Sequence, residues 1–402
     1  MRNMKEIYFD NAATTKTREE VVSEMKKYFD DEYGNPSSFH YKGLRAKDAV
    51  DSARERVASV LGCKSGEIIF TGSGTESINL ALKGVAFANR KKGRHIITTK
   101  IEHPAVLNSC KWLEKEGFEV SYAAVDSEGI VKIDELKKMI RKDTILISVI
   151  YANNEIGVLQ NISEIGKICG ERGILFHSDG CQAAGMLDLN VSQLGVDLLT
   201  LNGSKIYGPK GVGILYVRDG VKVEPLVHGG GQEKGMRGGT ENVPAIMGFA
   251  LALELAQKEK AGENRRLTEL RDYFIFELLK IGKTRLNGNR TRRLPNNINV
   301  SFLDIEGESI LLQLGEKGIF ASTGSACSSH SLEPSHVLLA LGLPHEVAHG
   351  SIRFSLGKET TKEEIDYVLD EVPKIVSELR KISPIKIEIK KAEGGERYET
   401  IK

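Results

Sequence analysis

The stretch TILISVIYANNEIGVLQNISEIGKICGERGILFHSD, residues 144–179, decides the fold class. It opens on an apolar, β-branched run (144–152), passes through an amphipathic segment with helical spacing (162–173), and closes on a second apolar run, ILFHSD (174–179). Strand, helix and strand so close together make a βαβ unit. An uninterrupted apolar strand is one covered on both faces, as in a parallel sheet. The same alternation continues outward. EIIFTG (67–72) and HIITT (95–99) read as strands, and the stretches 75–89 and 105–117 as helices. DLLTL (197–201) and GILYV (213–217) read as two further strands. The prediction is an α/β protein with a mostly parallel sheet and helices on both faces. After a long helical stretch at 243–279 the pattern changes. NINVSFL (297–303), a helix near 308–317, IFAST (319–323), SIRFSLG (351–357) and a helix near 361–381 predict a smaller α+β domain. We therefore expect a large domain of residues 16–255 and a small one built from 1–15 and 256–402. The charged tail after Pro384 is expected to lie on the surface or fray.

Composition narrows the function classes. The 402 residues are 40% hydrophobic and 28% charged, with room for two domains. A net charge of +1 gives no bulk attraction to nucleic acid or membrane, so neither is expected as a direct partner. No apolar run approaches the roughly 20 residues that span a bilayer. The opening MRNMKEIYFDNAATT lacks the apolar core of a secretory signal. The cysteines are Cys63, Cys110, Cys169, Cys181 and Cys327, an odd number with no C-x-x-C pair. This argues against a disulfide framework or a standard zinc site and fits a cytoplasmic location.

In an open α/β sheet, ligands sit beyond the carboxyl ends of the strands. GSGTES (72–77) lies between a strand and a helix, where backbone N–H groups, with Gly74 and the Thr75 hydroxyl, can seat a phosphate or simply cap the helix. HSDGCQAAG (177–185) places Asp179 at a strand end, as a partner for a protonated ring nitrogen or as a turn residue, and Gln182 beside it. LNGSKIYGPKGVG (201–213) places Lys205 before a glycine-rich loop. There a desolvated amine can form a Schiff base, with Lys210 as the competing candidate. A phosphate seat, a carboxylate and a lysine on successive strand ends together meet the needs of pyridoxal phosphate. His103 in IEHPAVLNS (101–109) can stack on a ring and move protons. Arg353, inside a buried strand, wants a carboxylate, from an amino-acid substrate or from an internal ion pair. FASTGSACSSHSLEPSH (320–336) sets Cys327 among small polar residues, an unusual place for a core cysteine and a fitting one for a nucleophile. Cys181, close to the cofactor stretch, stays ambiguous.

These motifs resemble the cysteine desulfurases of the iron–sulfur-assembly type, pyridoxal-phosphate enzymes of the class V aminotransferase family and, by the length of the loop at 324–336, of the long-loop group. The resemblance runs from YFDNAATT (8–15) through YGNPSSFH (33–40), TGSGTESIN (71–79), EHPAV (102–106), NNEIG (153–157), IYGPKGVG (206–213), RGGTEN (237–242), GSACSS (324–329) and SLEPSH (331–336) to SIRFSLGKETTKEEID (351–366). It implies a fold type I architecture, with a seven-stranded-type sheet. It also implies that Lys205 carries the cofactor and that Asp179 pairs with its ring nitrogen. Gln182 would meet the phenolate, and Thr75 the phosphate, together with the residues at 202 and 204 and Thr240 from a second subunit of a homodimer. His103 would stack and act as acid and base. Arg353 and Asn154, with Asn35 nearby, would hold the carboxylate of L-cysteine. Cys327 would take the sulfur as a persulfide, releasing L-alanine, and pass it to an iron–sulfur scaffold protein or another acceptor. No resident metal is implied, although Cys327 could transiently share a cluster with a scaffold.

The sequence departs from the family at two places. Asn202-Gly203-Ser204-Lys205 stands where Ser-Gly-His-Lys is usual, and Gly180-Cys181-Gln182 where Ala-Val-Gln is usual. The first removes an imidazole. The second is expected to loosen packing on the ring face, and both predict weaker cofactor retention. Two other readings stand beside the desulfurase: a related lyase or transaminase, such as one acting on selenocysteine, and a non-catalytic scaffold in iron–sulfur assembly.

Overall fold

The computed structural model describes residues 6–323, 334–392 and 395–401. After the two-residue strand β1 (Ile7–Tyr8) come seven strands of one sheet: β2 (Ile68–Thr71), β3 (His95–Thr99), β4 (Glu119–Ala123), β5 (Thr144–Ile150), β6 (Leu175–Asp179), β7 (Leu198–Asn202) and β8 (Gly213–Val217). Their order is β2-β8-β7-β6-β5-β3-β4. β4, β3, β5, β6 and β7 run parallel, and β8 lies antiparallel between β7 and β2. β5 and β8 are buried along their whole length, which is why they read as unbroken apolar runs. Helices such as Pro104–Lys115 and Ile162–Arg172 bury apolar stripes against the sheet.

Asn242 opens a long helix, Val243–Leu278, with its side chain accepting from Ala245 N; the helix leads from the large core to the second one. That second core gathers Phe9, Phe274, Phe302 and Phe354 with Ile7 and Ile319. Its strands are β9 (Thr284–Leu286), β10 (Asn297–Phe302), β11 (Ile319–Phe320) and β12 (Ser351–Ser355), in an antiparallel sheet β12-β10-β9 and a parallel pair β1-β11. The stretch expected as a strand at 319–323 is thus a two-residue strand followed by an isolated bridge from Ser322 to Arg353.

The tail lies on the surface, one of the two outcomes expected. It does not fray: β13 (Lys386–Ala392) and β14 (Gly395–Ile401) form an antiparallel hairpin. The hairpin is tied down because Ile387 is buried, its N–H donates to Asp304 Oδ1 at 2.6 Å, and its carbonyl accepts from Lys283 Nζ at 2.9 Å. Among the described residues no helix is long and apolar enough to cross a membrane.

Candidate active site

The carboxyl ends of β2, β3, β5, β6 and β7 open onto a cavity of about 380 Å³. Gly74 and Thr75 line it from β2, His103 from β3, Asn154 and Glu155 from β5, Asp179, Cys181 and Gln182 from β6, and Asn202 and Lys205 from β7. Arg353 closes it from β12 of the other core, His336 from the start of the helix His336–Ala340, and Ala12 and Ala13 from the N-terminal segment. A larger hollow, about 600 Å³, lies near Lys16, Arg18 and Lys358. There the charges neutralise one another, Lys16 on Glu359 at 2.8 Å and Arg18 on Glu259 at 2.9 Å, so the chemistry belongs to the smaller cavity.

Each turn is built locally. Ser73 caps the helix beginning at Gly74 by accepting from Glu76 N at 3.2 Å. Gly74 is required by close approach: a Cβ there would stand 2.8 Å from Cys181 Sγ and 3.3 Å from Asn202 Cβ. Asn153 shapes the NNEIG turn, its Oδ1 accepting from Glu155 N and Ile156 N, both at 2.9 Å, and its Nδ2 donating to Ile101 O at 2.8 Å. Gly157 ends that turn at φ +73°, pressed against Asn297. His103 is the N-cap of the helix Pro104–Lys115, its Nδ1 accepting from Ala105 N at 3.1 Å.

Lys205 Nζ donates to the carbonyls of Ala12, at 2.9 Å, and Ala13, and Gln182 Nε2 donates to the same Ala12 carbonyl at 2.8 Å. Asp179 is buried and accepts from Cys181 N at 3.0 Å. Arg353 Nη1 donates to Asn154 O at 2.9 Å, and Nη2 pairs with Asp10 Oδ1 at 2.7 Å. The internal ion pair left open by the sequence therefore exists, and Nε of this buried guanidinium makes no hydrogen bond among the described residues.

Burial sets the electrostatics. It pushes the Cys181 thiol far above its ordinary value, reinforced by Asp179, so Cys181 stays protonated. Cys63 and Cys169 are raised to about 12, and Cys110 is also raised, all chiefly by burial. Burial raises Glu102 to about 8, against the opposing bonds from the Thr99 hydroxyl and Ile150 N–H. It raises Glu155 to about 7, although the Ser335 hydroxyl donates to it and Arg353 lies near. Burial lowers His103, and Asp179 partly offsets this.

The cavity gathers most of the residues singled out in the sequence but not all. Asn35 is exposed ahead of the helix Tyr41–Leu61. Thr240 is exposed on a loop beside Gly72, in a small hollow of about 130 Å³. Ser204 does not line the cavity; its carbonyl accepts from Thr15 N at 2.8 Å. Cys327 lies outside the described residues. The structure also adds Asp10, Ala12, Glu102, Glu155 and His336. Gly180 is closely packed. The methyls of Leu199 and Leu201 lie 3.0 Å from where a Cβ would be, so two leucines occupy that space.

A family model described as Aminotransferase class-V matches residues 7–368, nearly all of the chain just described. The chain belongs to the class V aminotransferase family. Within that family it is similar to proteins named Cysteine desulfurase IscS. The one from Dictyoglomus turgidum is 57% identical over 96% of this chain and 98% of its own length. The one from Methanosarcina thermophila is 56% identical over 95% and 94%. Among solved structures it is similar to one titled NifS-like protein, with a TM-score of 0.88 and 41% identity over 93% of this chain and 100% of the other. At that TM-score the NifS-like structure has the fold described above.

Proposed function

We propose that this chain is a pyridoxal-phosphate-dependent cysteine desulfurase, taking sulfur from L-cysteine, releasing L-alanine and holding the sulfur on Cys327 for an acceptor. One observation supports this most: a lysine amine, a buried carboxylate and a buried guanidinium face one cavity in a chain 57% identical to a named cysteine desulfurase. The donor set fits the cofactor. Thr75, in the first turn of the helix that Ser73 caps, would help seat the phosphate, Asp179 would pair with the ring nitrogen, Gln182 would reach the phenolate, and Lys205 would hold the aldehyde carbon. Asn202, which lines the cavity and whose Oδ1 accepts from Ser204 N, would take a further phosphate contact, while Ser204 itself lies outside the cavity lining. Bound there, the cofactor supplies the electron sink that lets the substrate's Cα–H and then Cβ–S bonds break.

The chain's own residues do the rest. Arg353 and Asn154 orient the substrate carboxylate. Lys205 Nζ, gripped by backbone carbonyls, is placed to exchange protons near Cα. Cys327 Sγ attacks the substrate sulfur: an S–S bond forms, the Cβ–S bond breaks, and its electron pair stays with Cβ, which takes a proton to give alanine. The four described thiols are held protonated by burial or lie away from the cavity, which favours Cys327 in this role.

A homodimer completes the reading. Phe39 is 96% exposed, and Phe29, Tyr33 and Tyr41 are also exposed around Asn35, an apolar face that a second copy would cover. The same copy would bring its Thr240 to the phosphate and its Asn35 toward the substrate. The persulfide would serve an iron–sulfur scaffold protein or a comparable acceptor in the cytoplasm. The test is to incubate the protein with pyridoxal phosphate, L-cysteine and a reductant, and to measure alanine and sulfide beside C327A. Equal yields lost in the variant support the reading. A cofactor-loaded protein that makes neither product overturns it.

A further inference from the structure

Two buried histidines of the seven-stranded sheet are bonded in the same way. His95, the first residue of β3, has Nδ1 at 2.7 Å from the Thr144 hydroxyl of β5 and Nε2 at 2.9 Å from the Ser121 hydroxyl of β4. His177, the middle residue of β6, has Nδ1 at 2.8 Å from the Ser148 hydroxyl of β5 and Nε2 at 3.0 Å from the Thr200 hydroxyl of β7. Each ring is thus bonded to both strands beside its own. A neutral imidazole has one N–H to give and one nitrogen that accepts, and a hydroxyl can do either, so both bonds form without a charge. Burial keeps His177 neutral, lowering it to about 4 against the opposing pull of Asp179.

The two rings differ in what lies beyond them. His95 sits at the amino end of its strand, about 13 Å from the carboxyl end at the usual rise per residue. His177 is two residues before Asp179, so both side chains project from one face of β6. The three strands that His177 joins all serve the cavity: β5 leads to Asn154, β6 ends on Asp179, and β7 leads to Asn202 and Lys205. The backbone around Asp179 is held from the same two sides. Its carbonyl accepts from Tyr151 N at 2.9 Å, and Gly180 N donates to Thr200 O at 2.9 Å. An apolar side chain at 177 would fill the space without fixing the strands laterally, whereas directional bonds to both neighbours specify one arrangement. A charged ring there would pair with Asp179 and weaken its pull on any cation in the cavity.

We propose that His177 is a positioning residue of the cavity, a neutral cross-strand strut that sets Asp179 against Lys205 and leaves the Asp179 carboxylate to the ring nitrogen of the cofactor. This rests on the cofactor reading above. His95 is the same strut away from the chemistry, and it supplies the control.

The test compares H177L, T200V and H95L with the parent. T200V removes one of the two bonds with little change of shape, and it decides the matter if H177L does not fold. Pyridoxal phosphate is titrated into each protein and followed by absorbance, and nitrogen-15 spectra are taken of cofactor labelled at the ring nitrogen. H177L and T200V are expected to bind about tenfold more weakly and to move the ring-nitrogen signal toward the unprotonated form. H95L is expected to lose thermal stability and to keep the parental affinity and signal. H177L and T200V proteins that keep the parental ring-nitrogen signal overturn the proposal. So does an H95L protein that changes as much as they do, because the cause would then be general loosening of the sheet. A parent that binds no cofactor defeats the functional reading instead. Hydrogen exchange at the Tyr151 and Gly180 amides, expected to quicken in H177L and T200V but not in H95L, then still decides whether the strut holds the strand ends.

Discussion

Arg353 is claimed twice, by Asp10 in the structure and by a substrate carboxylate in the proposed reaction, and Asp10→Ala separates the claims. The Arg353 side chain is 3% exposed and that of Asp10 20%. Removing one partner of a buried pair costs about 3–5 kcal/mol. The partial exposure of Asp10 puts D10A at the lower end, about 3 kcal/mol of stability. Binding should move the other way. Asp10 repels an incoming carboxylate across one guanidinium, and relief of that repulsion is worth about 1–2 kcal/mol, or five- to thirtyfold. Loss of orientation opposes this, but Asn154 O still holds Nη1 at 2.9 Å and the strand pairing of β12 with β10 fixes the backbone. The electrostatic gain should therefore win, and KM for L-cysteine should fall. Urea denaturation measures the first effect and steady-state alanine formation the second. A folded D10A protein whose KM rises tenfold would refute the reasoning, because aim rather than charge would then limit carboxylate capture.

Further outcomes follow from other contacts. Burial raises Glu102 from about 4.5 to about 8, so the folded state binds the extra proton across that window and this group's contribution to stability falls as pH rises through it. E102Q should therefore gain Tm over the parent at pH 9 and little at pH 4; equal gains at both would count against a charged Glu102. Gly74→Ala should lower stability by about 1–3 kcal/mol through the contact with Cys181, and adding Cys181→Ala should recover part of it, as thermal melts of the single and double variants would show. Deleting the tail after Pro384 should cost about 3 kcal/mol, from the burial of Ile387 and its bond to Asp304, without loss of alanine formation. Absorbance of the lysine-bound cofactor after long dialysis should be retained better in an N202S/S204H double variant than in the parent; no difference would remove the case for weak retention.

The large sheet was legible because each strand is either wholly apolar or ends on a turn with small or polar residues, and the helices between carry the 3.6 period. Strand ends then pointed to Lys205, Asp179 and His103 without knowledge of their partners. Other parts depend on contacts distant in sequence. Asp10 meets Arg353, Glu155 meets Ser335, and Glu102 O meets His336, pairs that no local pattern joins. A glutamate in NNEIG looks solvated until the turn folds it beneath Ser335. Of the two outcomes expected for the tail, fraying is the one not found. Its lysines and glutamates suggested fraying, while KIEIK (386–390) alternates with the period of a strand and Gly394-Gly395 is a hairpin turn signal.

The grip of Ala12 and Ala13 on Lys205 bears on how the protein is made. Residues 12 and 13 are synthesised some three hundred residues before their anchors, Ile7 pairing with Ile319 and Asp10 bridging to Ser355. The parallel strands near the lysine can assemble much earlier. At about 5–20 residues per second, on the order of 20–70 s of synthesis separates the N-terminal segment from the strands that hold it. During that interval a nascent chain carries the reactive amine without its carbonyl clasp, and its first residues have no place to dock. Loading of the finished cleft thus waits for synthesis of the strands at Ile319 and Ser355, and an aldehyde that met the amine earlier would find an open strand end instead of a pocket.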